Sequence, residues 1–313
     1  MFKVGTDCSG IEAPIQAFDK LSKKYNITYS HEFSSEINKY AIQCIKENYS
    51  PKMFFNDITE RDITELPDID IYISGFPCQP FSRANKFKTE IDPRLNLFKN
   101  CLDVIFHCRP KIFILENVKT LVTLNNGSYF QDILNHLERD QHYSIQWKIL
   151  NTKDYGIPQT RERLYFIGIL NEHLENEFNF PEKVPMKNLS LFIDENDTTK
   201  IPIKEKNKEL FSNIPDDSKF IDVGFRKSKF KNSNKWAPCI TAQPNMWCVP
   251  KQRKANIIEY LMLQGFPITF KQPKEISDHQ MKIRIGNSMT VDVIEKLLEQ
   301  CFLSLGVINN LKN

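Results

Sequence analysis

Strand-like and helix-like stretches alternate as far as Leu170, and that alternation constrains the fold more than any other feature of the sequence. FKVGTDC reads as a short strand ending in a turn. Ile11, Ile15, Phe18 and Leu21 then recur at helical spacing within Ile11–Lys24. ITYSHEF is a second strand and Glu36–Tyr49 a second helix. KMFFNDI, DIDIYISGF, KIFILENV, SIQWKIL and RLYFIGIL follow as strands, with helical stretches between several of them. Such an order predicts an α/β fold with a parallel sheet covered on both faces, and ligands beyond the carboxyl ends of its strands.

The character changes near Pro181. From there to about Pro250 the chain is rich in Lys, Asn, Asp, Ser and Pro with weak periodicity, which predicts a separate small domain. Helical order returns at Lys254–Leu263 and Thr290–Leu305. Hydrophobic residues make up 41% of the chain, enough to bury a sizeable core. The net charge of +3 is too small to identify a nucleic-acid partner by itself. The eight cysteines contain no CxxC pair, so no metal is expected and most read as reduced, buried thiols of an intracellular protein. MFKVGTDCSG lacks the apolar core of a signal peptide, and no run is long enough for a membrane span.

Several blocks carry possible chemistry. In TDCSGIEAP, Gly10 allows close backbone approach to a ligand where the first strand gives way to a helix, although an ordinary turn reads the same way. Glu36 ends the second strand, where an acid binds ribose hydroxyls or simply occupies a first helical turn. Asp57 ends the third strand and either accepts from an exocyclic amine or caps the next turn. Cys78, in GFPCQPFS, follows the fourth strand, and the polar SRANKFKTEIDPR loop follows it. Glu116 ends the fifth strand as a candidate acid with a raised pKa, or as a capping glutamate. Arg161 and Arg163 stand two apart at the start of a strand, an arrangement that points both side chains to one face, although a solvated edge reads the same way. GNSM, from Gly286, reads as a turn and N-cap before the last helix.

In this order, Pro-Cys-Gln, Glu-Asn-Val, Gln-x-Arg-x-Arg and the later RKANIIEYLMLQGFP resemble the cytosine-5 DNA methyltransferase family. The resemblance runs from DCSG to GNSM and leaves out about 181–235. Two positions depart from its first block: Cys8 stands for an aromatic residue and Glu12 for a glycine. The resemblance implies a doubly wound, Rossmann-like methyltransferase sheet with a small target-recognition domain. The expected division is 1–180 for catalysis and cofactor, 181–255 for target recognition, and 256–313 completing the catalytic domain.

The resemblance also implies S-adenosylmethionine as cofactor and double-stranded DNA as partner, with no metal, no membrane and a monomeric enzyme. The compartment would be cytoplasmic in a prokaryote or phage and nuclear in a eukaryote. Cys78, Glu116, Arg161 and Arg163 would be catalytic, Cys78 as the covalent nucleophile, Arg163 on cytosine oxygen 2 and Arg161 holding the site's carboxylate and loop. Cofactor contacts would come from Asp7, Cys8, Ser9, Gly10 and Ile11, from Glu36, Ile37, Asp57 and Ile58, and from Pro77, Leu97, Asn287 and Ser288. DNA contacts would come from Gln79 and Ser82, and from Arg226, Lys227, Lys229, Lys231 and Asn232. The last five lie in a stretch, Lys219–Lys254, whose nine basic residues against one acid suit phosphate contacts, with Trp236 and Trp247 interleaved for base approach.

Two other readings remain open from the sequence. A tRNA cytosine-5 methyltransferase would share the catalytic blocks but carries Cys-Phe-Thr in its target domain, whereas here Cys301-Phe302 is followed by Leu303. A catalytically inactive DNA-binding regulator would not need the full set of Cys78, Glu116, Arg161 and Arg163.

Overall fold

The computed structural model describes residues 1–77, 96–202, 208–224 and 233–309. Its contacts divide into two compact units, one of 1–150, 162–182 and 293–313, the other of 151–161 and 183–292.

The first unit is built on a seven-stranded sheet. In chain order it holds β1 (Phe2–Asp7), α1 (Ala13–Tyr25), β2 (Tyr29–Ser35), α2 (Lys39–Asn48), β3 (Met53–Phe55) and β4 (Ile71–Ser74). Then come α3 (Asn96–Cys108), β5 (Ile112–Val118), α4 (Ser128–Glu138), β6 (Tyr143–Asn151) and β7 (Glu162–Leu170). The strand order is β3-β2-β1-β4-β5-β7-β6. All seven strands read from the sequence are present. β4 is buried at every position, as a central strand covered on both faces must be. Pro14 opens α1 and Asn26 closes it in the left-handed conformation, while the Asn38 side chain caps α2 by accepting from the N–H groups of Tyr40 and Ala41.

The expectation of a parallel sheet holds for β1 to β5 and fails at β7, which runs antiparallel to β5. The link between β6 and β7, Thr152–Arg161, carries only a short helical turn, and a parallel crossover needs more chain than that. The consequence is functional: Arg163, at the start of β7, pairs with Val118 at the end of β5. It therefore joins the edge at which β1 to β5 end.

The second unit contains α5 (Lys208–Ser212), β8 (Phe220–Asp222), β9 (Met246–Cys248), β10 (Arg253–Lys254), α6 (Ile257–Gln264) and α7 (Asp278–Asn287). The three strands form an antiparallel sheet in the order β10-β9-β8. Asn256 and Glu259 form a reciprocal capping box at the start of α6. The same Glu259 holds Arg253 through two hydrogen bonds of 2.9 Å.

Two expectations are corrected in this unit. Gly286 and Asn287 close α7 instead of forming a turn before the last helix, α8 (Val291–Ser304). A Cβ at Gly286 would stand 2.1 Å from the carbonyl oxygen of Thr241, so glycine is what permits this close approach. Trp247, read as a base-approaching ring, is 7% exposed and packs edge-on against Phe211 within β9's core. Contacts also place 256–292 with this second unit.

Candidate active site

In the first unit the carboxyl ends of five parallel strands lie along one edge, because Asp7 pairs with both Ser35 and Ser74, Ser35 with Phe55, and Ser74 with Leu115. The loop after β1 is tightly wound: Cys8, Gly10 and Glu12 all have positive φ, at 50°, 59° and 62°. Glycine is comfortable there, but the other two residues carry backbone strain. Ser9 closes the loop against β2, its hydroxyl donating to the carbonyl oxygens of Thr6 and Ser35 and accepting from Ser35 N–H.

Glu36 is held from both sides. Its Oε2 accepts from Gly10 N–H at 2.8 Å and its Oε1 from Asn38 N–H at 2.8 Å. Its own N–H donates to the Phe55 carbonyl, which joins the ends of β2 and β3. Next to it Ile37 is 73% exposed, an apolar side chain open to whatever stacks there. Asp57 closes a turn by accepting from both the N–H and the hydroxyl of Thr59 through Oδ1.

The cofactor residues read from the sequence thus sort into two groups. Gly10, Glu36, Ile37, Asp57, Pro77 and Leu97 are at least partly accessible. Asp7, Ser9, Ile11, Ile58 and Ser288 are buried. Asp7 is fully engaged, with both oxygens bonded to Arg61 and one also to Tyr72. Cys8 packs against the core, and burial, reinforced by Cys101 and Asp7, pushes its thiol up. It is a neutral packing group in the aromatic residue's place. Asn287 and Ser288 belong to the second unit, where Asn287 is exposed.

These features suit an adenosyl cofactor. A carboxylate pre-oriented by two N–H groups matches a ribose diol, and the exposed Ile37 offers a face to an adenine ring. A Cβ built at Gly10 meets nothing within 4 Å, so the backbone there faces open space into which a ligand fits.

Two of the candidate catalytic residues, Glu116 and Arg163, meet at the pairing of β5 with β7. Arg163 Nε lies 3.2 Å from Glu116 Oε1, with both side chains largely buried. Among the described residues that oxygen accepts no hydrogen bond, which leaves a buried acceptor on the site's own carboxyl group. Asn117 donates from Nδ2 to the Phe76 carbonyl at 3.1 Å and so anchors the backbone that leads into Pro77. Cys78, Gln79, Ser82, Arg226, Lys227, Lys229, Lys231 and Asn232 lie outside the described residues.

Arg161 departs from its expected place. It precedes β7, so the period-two argument that would aim it beside Arg163 does not apply. Its guanidinium is buried in the second unit and donates to the carbonyls of Ile240 (2.7 Å), Gly286 (3.1 Å) and Ser288 (2.7 Å). Gln159 is likewise structural, bridging Ile240 N–H to the Leu263 carbonyl and the Gln264 side chain. Arg61, Tyr72 and Asn117 were not singled out from the sequence. Arg61 reads there as one more charge in a polar turn, and only its distant partners reveal it.

Trp236 carries Lys153 over its ring at 4.2 Å. Cys301 and Phe302 are fully buried in α8. Among the described residues no group of three or more His, Cys, Asp or Glu could hold a metal ion, and no helix is long and apolar enough to cross a membrane.

The family model for C-5 cytosine-specific DNA methylase matches residues 8–303. Type II methyltransferase M.NlaX of Neisseria lactamica is 33% identical over 297 residues, which span 90% of this chain and 91% of that protein. Type II methyltransferase M.HaeII of Haemophilus aegyptius is 34% identical across 88% of this chain and 86% of its own length. Among solved structures, the S. pombe Dnmt2 methyltransferase superposes with a TM-score of 0.75 at 20% identity, covering 96% of this chain and 98% of that one. A putative DNA modification methyltransferase of an E. coli prophage gives 0.71 at 18% identity, covering 98% and 100%. At such identities the two structures speak for the fold alone, and the fold is that of a Rossmann-like methyltransferase.

Proposed function

The chain belongs to the C-5 cytosine-specific DNA methylase family, and from that premise we propose that it transfers the methyl group of S-adenosylmethionine to carbon 5 of cytosine in a specific double-stranded DNA sequence. The observation that carries this reading is the β5–β7 pairing. It sets Glu116 and Arg163 3.2 Å apart while Asn117 anchors the backbone two residues before Cys78.

Carbon 5 of cytosine is a poor nucleophile, and a thiolate bond to carbon 6 makes it an enamine. Cys78 suits that step because a thiol is partly ionised at neutral pH and strongly nucleophilic. Bound S-adenosylmethionine supplies an electrophilic methyl group. In this reading Glu116 holds a proton at ring nitrogen 3 as charge builds on the base, and Arg163 meets oxygen 2. Both are fixed groups aimed at developing charge. Loss of the carbon-5 proton then expels the Cys78 thiolate and restores the aromatic ring. The target base is stacked in a duplex, so it is flipped out first.

Gly10, Glu36, Ile37 and Asp57 would hold the cofactor, the glutamate on the ribose and Asp57 on the adenine amine. Target recognition falls to 181–255. Its base-reading loop would be GFRKSKFKNSNKW, Gly224–Trp236, with Arg226 and Asn232 on base edges and Lys227, Lys229 and Lys231 on phosphates. Gln79 and Ser82 would contact the DNA backbone. The enzyme would act as a monomer inside the cell. Bisulfite sequencing of DNA from cells expressing the protein tests the reading: new 5-methylcytosine in one sequence context is expected, and unmodified DNA from cells making folded protein would overturn it.

A further inference from the structure

We propose that Arg61 is a positioning residue for the cofactor, clamping together the ends of the three strands from which the cofactor contacts project. The proposal rests on the reading that Gly10, Glu36 and Asp57 hold S-adenosylmethionine.

Arg61 has a side chain only 1% exposed, yet it follows an exposed turn. One guanidinium nitrogen donates to Asp7 Oδ1 at 2.7 Å and to Ser35 Oγ at 2.8 Å. The other donates to Asp7 Oδ2 at 2.9 Å. The same group lies over the rings of Phe33 and Phe55, 5.4 and 5.1 Å from their centres. Tyr72, on β4, donates its hydroxyl to Asp7 Oδ2 at 2.8 Å. One side chain thus touches the last residue of β1, two residues of β2 and the last residue of β3.

Each anchor adjoins a cofactor position. Asp7 begins the loop that carries Gly10, and Ser35 immediately precedes Glu36. The Phe55 carbonyl accepts the N–H of Glu36, and Asp57 follows two residues later. The Asp57 turn leads straight back to Arg61. The hydrogen bond from Gly10 N–H to Glu36 Oε2 needs the β1 loop and the end of β2 held in register. A buried ion pair adds little to folding over an apolar pair of similar volume, whereas its geometric demands are high. The planar fork, with several donors fixed in one plane beside two rings, meets those demands where a lysine ammonium does not.

The decisive variant is Arg61→Lys, which keeps the charge beside Asp7 but gives up the fork. It should fold with a melting temperature close to wild type and bind S-adenosylmethionine about tenfold more weakly, the scale of one orienting hydrogen bond to a charged group. The loss should appear in KM for the cofactor, with kcat at saturation and KM for DNA within about twofold. Should Arg61→Lys not fold, Ser35→Ala, which removes one acceptor of the clamp and leaves the Asp7 pair intact, is judged by the same split. Wild-type cofactor affinity in the folded variant would overturn the proposal, as would a loss shared equally by kcat and DNA binding. Glu36→Ala runs alongside. If it loses cofactor affinity and Arg61→Lys does not, the clamp alone is wrong; if neither does, the cofactor placement is wrong with it.

Discussion

Ser34 donates its hydroxyl to Glu12 Oε1 over 2.6 Å, and this bond ties the loop after β1 to the interior of β2. Thr6 donates to the same oxygen at 2.7 Å, and Glu12 is completely buried. The residue stands where the family carries glycine, and it keeps a glycine's backbone, with φ at 62° and ψ at 50°. The replacement has therefore not reshaped the loop: strain in the backbone is offset by bonds from the side chain. Glu12→Gly should relieve the strain but lose both bonds, for a net destabilisation of about 1–2 kcal/mol, since Thr6 and Ser34 keep partners in Ser9 and His31. Glu12→Ala loses the bonds and keeps the strain, so it should be about 1 kcal/mol less stable than Glu12→Gly. Urea unfolding of the two variants gives the order, and alanine outranking glycine would refute this account.

The covalent step is tested at Cys78. Cys78→Ala should abolish methyl transfer while cofactor binding survives, because Gly10, Glu36 and Asp57, which would hold the cofactor, follow β1, β2 and β3. Wild-type protein should form a denaturant-stable adduct with DNA containing 5-fluorocytosine, since fluorine in place of hydrogen blocks the final elimination. A variant with measurable turnover, or no adduct with the fluorinated DNA, would remove Cys78 from the mechanism.

Acid sensitivity should come in part from Glu299, in α8. Burial by itself would raise its pKa, but the Lys24 and Lys296 ammonium groups, with Tyr25, bond its carboxylate and hold it below its ordinary value of 4.5. A carboxylate with a depressed folded pKa stabilises above its unfolded value, and the contribution disappears as pH falls through the folded one. Wild-type stability should therefore drop as pH falls below the ordinary carboxylate value of 4.5, whereas Glu299→Gln, which does not titrate, should show a shallower acid limb. At neutral pH the variant should be weaker by about 1 kcal/mol, a modest figure because the Lys24 side chain is half-exposed and its pairing is screened by solvent. Parallel acid limbs for the two proteins would rule the carboxylate out.

The order of the candidate blocks was legible in the sequence because few residue types can perform this chemistry. Glu116 and Glu36 could be placed by counting strands. What could not be read is which distant group each side chain meets. Asp7 has the same strand-end position as Glu36, but Arg61 draws it inward. Alternation along a strand predicts a face only for residues within the strand, and Arg161 stops one residue short. Antiparallel β7 was hidden because an apolar run such as RLYFIGIL looks the same in either direction. Aromatic residues in a basic stretch suggest nucleic acid, but Trp247 fills the core of a small sheet that needs a large side chain.

The divergence of the two arginines gives the sharpest test. Arg161 serves three backbone carbonyls of the second unit, none of which keeps the guanidinium's bond if the side chain is shortened. Arg161→Met should destabilise the protein by about 2–4 kcal/mol, the cost of stranding the Ile240 and Gly286 carbonyls, while that of Ser288 keeps its bond from Gln264 Nε2. Arg163 instead makes a single, largely buried pair with Glu116, so Arg163→Ala should cost less stability, about 1–2 kcal/mol. Its loss should fall on the reaction, lowering kcat/KM by about 10²–10³, the scale of removing one donor aimed at developing charge. The lysine variants separate the roles further. Arg161→Lys should recover part of the stability and, once folded, show near-normal turnover, because an ammonium group still reaches one or two of the carbonyls. Arg163→Lys should stay folded and remain slow, because a single ammonium cannot keep both the carboxylate and the base in place. Unfolding curves and single-turnover rates on all four proteins decide the matter. If Arg161→Lys kept wild-type stability yet lost turnover as Arg163→Lys does, both arginines would act on the reacting base, and the geometry described for Arg161 would not be the one that operates.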